Sequence, residues 1–337
     1  MTLPILLSRS EINDARWNEL IAKSGQSVIY GFSWYLDIVC DNWKALVWPS
    51  TDNYQIVMPL PIKRKWNIEV VQQPLFCQYL GLFSIENLTD QQLDLFLKGL
   101  SSSFSYISAY HFNPDNSSLL QNVLHQFSKF EVRQNHTFWL SLSGSSSEIW
   151  AKYSSDRKAN LKRGVRFEWV ISPGEDIELL IHLFKEHHAS GINGGVSDKA
   201  YTMLSDMVAS LKLRDAIEVL YAQIGGTVHA GVLFVRTGNK VIFLFNAADE
   251  IGRRGNARTI LLDHYFQSNS ERPITFDFES PQLKSIASFY KSFGADPIPY
   301  FSVRKNDLPF PLKQIQNWRV RKLINTIEAP SEDSSQI

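Results

Sequence analysis

The sequence predicts an α+β protein of two tandem domains, each a mixed, mostly antiparallel sheet flanked by helices. Three observations predict it. In the second half, the short turns Gly225-Gly226 and Gly238-Asn239 join three apolar runs into an antiparallel meander. Helical and strand periodicities then alternate, which implies a mixed sheet covered on both sides. The first half can be read in the same order, and 337 residues are long for one core but comfortable for two.

The meander takes strands over 217–224, 228–235 and 240–246, followed by a helix over 255–269, a strand over 274–279, a helix over 283–293 and a strand over 298–303. In the first half, strands over 44–48 and 55–60 flank the turn Thr51-Asp52-Asn53, and a third strand is expected near 78–83. A helix over 90–102, a strand over 106–112, a helix over 117–127 and a strand over 131–140 complete it. Asn113-Pro114 occupies the turn that Ser280-Pro281 occupies later. The period is that of a duplicated domain, far longer than a solenoid repeat. Gly144-Ser145-Ser146-Ser147 is the linker candidate, giving domains 1–143 and 144–327, and a polar tail over 328–337 is expected to be disordered.

Composition excludes several classes. With 34 basic and 34 acidic residues the net charge is zero, which disfavours duplex nucleic-acid binding. Only Cys40 and Cys77 occur, so there is no disulfide framework, and a cytoplasmic location is expected. No apolar stretch is long enough to span a bilayer, and the N-terminus lacks a basic n-region. The eight histidines form no metal motif, so no metal is expected.

The chemistry concentrates in ITFDFESPQLKSIASFYKSFGA, residues 274–295. Strand alternation puts Ile274, Phe276 and Phe278 on one side and Thr275, Asp277 and Glu279 on the other. Leu283, Ile286, Ala287, Tyr290 and Phe293 recur at helical spacing, and Gly294 suits a left-handed C-cap. The run Asp277-Phe278-Glu279, followed by Phe289-Tyr290-Lys291-x-Phe293-Gly294, resembles the FemAB-like branch of the GNAT superfamily of N-acyltransferases. The resemblance implies two GNAT-type domains in one chain. The first half has Ser108, Tyr110 and Phe112 where the second has its acids, and lacks a Gly-rich helix start, so the second domain is read as catalytic and the first as structural or substrate-shaping. It also implies that Tyr290 protonates a departing coenzyme A thiolate.

Between the third strand and the helix of the second half stands Gly252-Arg253-Arg254-Gly255-Asn256-Ala257. Glycines let backbone approach a phosphate, and a helix N-terminus favours an anion. The position resembles the superfamily's pyrophosphate loop: Gly255-x-Ala257 fits, whereas Gly252 stands where Gln or Arg is usual. Asn246, Ala247 and Ala248 end the preceding strand, where the resemblance implies that the strands splay to admit the acyl chain. Residues 150–164 read as a helix stopped by Gly164, with Arg157, Lys158, Lys162, Arg163 and Arg166 as one basic face. Arg157 stands where the branch carries its arginine.

The expected reaction is direct attack of a small-molecule or peptide amine on a carrier-bound acyl group. Asp277 or Glu279 is the candidate base, Tyr290 the acid, a backbone N–H near Asn246 the oxyanion donor, and Arg157, Lys158 and Lys291 substrate contacts. Acyl-coenzyme A is the expected co-substrate and aminoacyl-tRNA the alternative donor. A non-catalytic ligand-binding module of the same fold is the rival from another class.

Overall fold

Short polar residues cap five of the α-helices, where their side chains satisfy N–H groups that have no partner inside the helix. Thr89 and Ser145 form capping boxes with Gln92 and Glu148, and Ser154 accepts a hydrogen bond from the backbone of Arg157. The computed structural model describes residues 2–65, 68–174, 176–192, 194–279 and 283–328.

The first half runs β1 (Ile5–Ser8), α1 (Asp14–Lys23), α2 (Ser33–Val39), β2 (Asn42–Pro49), β3 (Tyr54–Lys65), β4 (Ile68–Gln72), β5 (Phe83–Ser84), α3 (Asp90–Ser103), β6 (Tyr106–His111), α4 (Ser117–Val123) and β7 (Glu131–Ser141). After it come α5 (Ser146–Lys152), α6 (Ser155–Val165), β8 (Val170–Pro173), α7 (Glu178–His187), α8 (Asp198–Lys212), β9 (Ile217–Ile224), β10 (Thr227–Thr237) and β11 (Lys240–Ala248). The chain continues through α9 (Glu250–Arg254), α10 (Ala257–Ser268), β12 (Thr275–Asp277), α11 (Lys284–Lys291), β13 (Asp296–Asn306) and α12 (Leu312–Glu328).

The sheets do not part near Gly144. One sheet runs in the order β1-β2-β3-β4-β6-β13-β7-β12-β11-β10-β9-β8, with β5 on β3. The order is nonetheless doubled. β4 lies parallel to β6 as β11 lies parallel to β12, and β13 is antiparallel to β6 as β7 is to β12. Each half lends its last strand to the other, and the lent strands pair from Asp296↔Trp139 to Arg304↔Glu131. One core cluster accordingly contains residues of both halves, from Leu7 to Val303.

The strand expected near 78–83 is instead β4, earlier in the chain, with only Phe83–Ser84 extended in the predicted range. Polar Gln72, Gln73 and Gln78 flank this segment and blur its alternation. The expected helix over 150–164 is two helices, broken at Tyr153 and recapped by Ser154, and the one over 255–269 is preceded by the separate turn of α9. Gly294 takes the left-handed cap at φ +80°, and an added Cβ there would lie 2.4 Å from Lys152 Cβ. The close approach seats the end of α11 on α5. The Ser280-Pro281 turn lies outside the described residues, as does the expected tail from residue 329 onward. Among the described residues, no helix is long and apolar enough to cross a membrane, and no cluster suits a metal ion.

Candidate active site

β11 and β12 pair only from Lys240↔Thr275 to Ile242↔Asp277, whereas β11 continues to Ala248. The sheet therefore opens beyond Asp277, at the place expected for a splay. Phe276 and Phe278 pack on one side with Phe138, Phe266 and Phe293. Asp277 points to the other, in register with Ile242, which belongs to the core beneath α7 and α8.

Asp277 is buried and receives three hydrogen bonds: from the Tyr79 hydroxyl, from Thr137 Oγ1 at 2.5 Å and from the Glu279 backbone N–H at 2.9 Å. Burial pushes its pKa up, and the donors oppose that rise. Glu279 adopts a left-handed φ of +62° and accepts from the Tyr30 hydroxyl. Burial raises its pKa to about 8, with Tyr30 opposing the rise and the neighbouring Asp277 adding to it. The two acids thus divide: Asp277 is held by protein groups, and Glu279 is poised near neutrality and lines a cavity of about 510 Å³. Tyr30, Tyr79 and Thr137, all from the first half, were not legible as site residues. No local pattern distinguishes them, because the exchange of β7 and β13 is what brings them to β12.

The corresponding opening in the first half is filled by its own chain. After Gln72↔Ala109, the backbone N–H of Gln73 donates to Ala109 O at 3.0 Å, that of Leu80 donates to His111 O at 2.8 Å, and Leu80 bridges Phe112. The plugging segment is the one that carries Tyr79 to Asp277.

Tyr290 lies on the opposite side of the sheet from Asp277. Its ring stacks on Phe278 with centroids 4.7 Å apart, and among the described residues its half-buried hydroxyl makes no hydrogen bond. Burial raises its pKa, with Glu279 adding to the rise and Arg258 opposing it. The acid pair and the tyrosine therefore do not share a surface; they flank the opening from opposite sides.

The expected phosphate loop is largely closed on itself. Gly252 N–H donates to the Asp249 carboxylate at 2.7 Å, Gly255 N–H to Ile251 O at 2.8 Å and Asn256 N–H to Arg253 O at 3.2 Å. A Cβ on Gly252 would lie 2.3 Å from His229 O, and one on Gly255 2.4 Å from Trp169. These glycines are required by the packing of His229 and Trp169 against them. Arg253 and Arg254 are exposed; Arg253 donates to Ala248 O at 2.9 Å, and Arg254 lies 3.5 Å from Glu250. Ala257 is buried at the start of α10, whose first turn receives no side-chain cap from Asn256. Asn246, paired with Val232, is half-buried beside the opening.

Arg258, one residue into α10, was missed by the sequence reading, which took the loop to end at Ala257. Its half-buried guanidinium makes no hydrogen bond or ion pair among the described residues and lies 5.8 Å from the Phe289 ring. Burial lowers its pKa, with Tyr290 opposing and Arg253 reinforcing that shift.

The basic face expected on residues 157–166 divides. Arg157 turns inward with Leu161 and Gly164, whereas Lys162, Arg163 and Arg166 are exposed. Arg157 lies over the edge-to-face pair of Phe289 and Phe293, 4.2 and 4.5 Å from their rings, and donates to Ser292 Oγ at 2.9 Å and Thr259 Oγ1 at 2.6 Å. Lys158 donates to Ala151 O at 3.3 Å, and Lys291 is exposed with Nζ 5.8 Å from the Phe138 ring. Arg157 is thus a brace between α6, α10 and α11. Arg157→Ala is expected to cost about 2–4 kcal/mol of stability, as loss of a packed side chain does. Lys162→Ala should change it by less than about 0.5 kcal/mol. Equal effects of the two in chemical denaturation would contradict the brace.

Residues 151–291 match the family model of an acetyltransferase (GNAT) domain. FemX has a similar structure, with a TM-score of 0.62 at 10% identity, covering 93% of this chain and 98% of that one. L-PGS from Bacillus licheniformis has a TM-score of 0.50 at 11% identity, covering 94% of this chain and 98% of that one. A tandem GNAT protein from the clavulanic acid biosynthesis pathway has a TM-score of 0.50 at 9% identity, covering 90% and 99%. No curated protein matches the sequence significantly. The chain shares its fold with FemX and with that tandem GNAT protein, and residues 151–291 match an acetyltransferase (GNAT) domain.

Proposed function

We propose that the protein is an N-acyltransferase in which donor and acceptor meet through the opening between β11 and β12. The observation that carries this reading is the placement of Tyr290 and Arg258 on one side of that opening and of Glu279 on the other. The acceptor amine enters beside Glu279, which takes its proton, and the nitrogen attacks the acyl carbonyl carbon directly. A backbone N–H of β11 near Asn246 stabilises the oxyanion. As the tetrahedral intermediate collapses, the bond from carbonyl carbon to the carrier sulfur breaks and Tyr290 protonates the thiolate. Neither cysteine competes as a nucleophile: burial raises the pKa of both Cys40 and Cys77.

The leading donor is an acyl-coenzyme A whose phosphates meet Arg258 and the uncapped first turn of α10. A specific observation favours aminoacyl-tRNA as the second reading. The N–H groups of the loop are already bonded, and the exposed Lys162, Arg163 and Arg166 stand on a helix whose Gly164 packs against Ile260 and Gly255. A thermal-shift comparison of acetyl-coenzyme A with an aminoacyl-tRNA mimic separates the donors, since a ligand that binds the folded state raises the melting temperature. Stabilisation by the coenzyme supports the first reading, and stabilisation by the RNA mimic alone transfers the proposal to the second. Arg258→Met is expected to weaken donor binding about ten- to hundredfold, equivalent to one charge-assisted contact. Arg254→Glu should leave it nearly unchanged, because that side chain points to solvent. Equal losses in calorimetry would place the anion site elsewhere.

A further inference from the structure

The cavity beside Glu279 has a composition that narrows the acceptor. We infer that it takes a single amine carried on an uncharged, hydroxyl-rich body, of which an amino sugar is the simplest type. The inference rests on reading Glu279 as the acid that faces the amine.

The cavity measures about 510 Å³, within the range of roughly 300–1,000 Å³ usual for small-ligand sites. Among its described lining residues Glu279 is the one acidic side chain, and no lysine or arginine is present. A carboxylate or phosphate entering it would lose its hydration without gaining a cation, which is costly. A second ammonium group would equally lack a partner. Cations belong to the adjoining pocket, which shares Gln72–Leu75 and carries Lys63 and Lys199, the latter paired with Asp41.

The walls offer neutral hydrogen-bonding groups held in fixed orientations. His111 Nδ1 lies 2.9 Å from Gln78 O, which can only accept, so Nδ1 carries the hydrogen. Burial lowers the ring's pKa and favours the neutral form, leaving Nε2 as an acceptor. Gln73 Nε2 donates to Cys77 O at 2.7 Å, while its Oε1 accepts from the His111 backbone at 3.1 Å. Gln72 and Ser108 add an amide and a hydroxyl, and Phe76 and Tyr300 contribute aromatic surface. Neutral amides, a hydroxyl, an imidazole acceptor and aromatic surface together match the alternating polar edges and apolar faces of a sugar ring.

The test is binding to the full chain without any donor, read by saturation-transfer NMR titration. The probes are methyl glucosaminide, methyl glucoside, glutamate and putrescine. The glucosaminide is expected to bind about tenfold or more tightly than each of the others, a difference of about 1.4 kcal/mol. Glu279→Gln should reduce its advantage over the glucoside, and Ser108→Asp, which adds a second acid to the wall, should shift preference toward putrescine. Glutamate or putrescine binding wild type as tightly as the glucosaminide would overturn the inference. So would a glucosaminide preference unchanged in both variants. Selective binding of the glucosaminide with no transfer from any donor would leave this assignment standing and sink the proposed reaction. Acylation of glutamate or putrescine in its place would do the reverse.

Discussion

Glu279→Gln is expected to lower turnover by about 10²–10⁴-fold, the usual loss when a general base is removed. The wild-type rate should rise with pH and level off above about 8, because burial holds the Glu279 pKa there and only the carboxylate accepts a proton. Glutamine can still accept the Tyr30 hydrogen bond, so the variant should fold, but its rate should lose that inflection. Stability gives a second readout, with a definite sign. The folded state binds the Glu279 proton more tightly than the unfolded chain does, whose reference pKa is 4.5. That contribution is fully present below the unfolded value and is lost as pH rises through about 8. The glutamine variant should therefore melt near wild type in acid and above it in alkali. A variant that retains both its rate and the inflection would remove Glu279 from the chemistry.

Tyr290→Phe is expected to reduce turnover about 100-fold or more with little change in melting temperature. The ring contributes stacking on Phe278 and contact with Phe138, both of which phenylalanine preserves. The hydroxyl has no partner among the described residues, so its removal leaves no buried group unsatisfied. A donor with a better leaving group needs less protonation and should recover much of the rate. Loss of the fold on this substitution would contradict the free hydroxyl, and an unchanged rate in a verified transfer assay would end the acid role.

Much of this arrangement was legible in the sequence, but not all of it. The meander, the acid-bearing strand, the helix after it and the Gly294 cap follow from periodicity and turn chemistry, both local properties. The side of the sheet taken by Asp277 followed from alternation, whereas Glu279 stands past the end of β12 at a left-handed φ of +62°. Exchange of β7 and β13 did not follow, because strand partners more than a hundred residues apart leave no local trace. That exchange decides the site, since it sets Thr137 against Asp277. Arg157 was singled out, but its inward turn depended on Phe289 and Phe293 arriving from another helix. Gly252 and Gly255 carried a real signal, namely that nothing larger fits. What fills the space is His229 and Trp169, and sequence gave no means of telling protein from phosphate.

The central claim, that the two substrates meet at the opening without a covalent enzyme intermediate, is tested most directly by initial velocities measured while both are varied. Direct attack in a ternary complex predicts double-reciprocal lines that intersect, with a pattern that persists when Cys40 and Cys77 are both replaced by serine. Parallel lines, the signature of an acyl-enzyme released before the second substrate binds, would contradict the account.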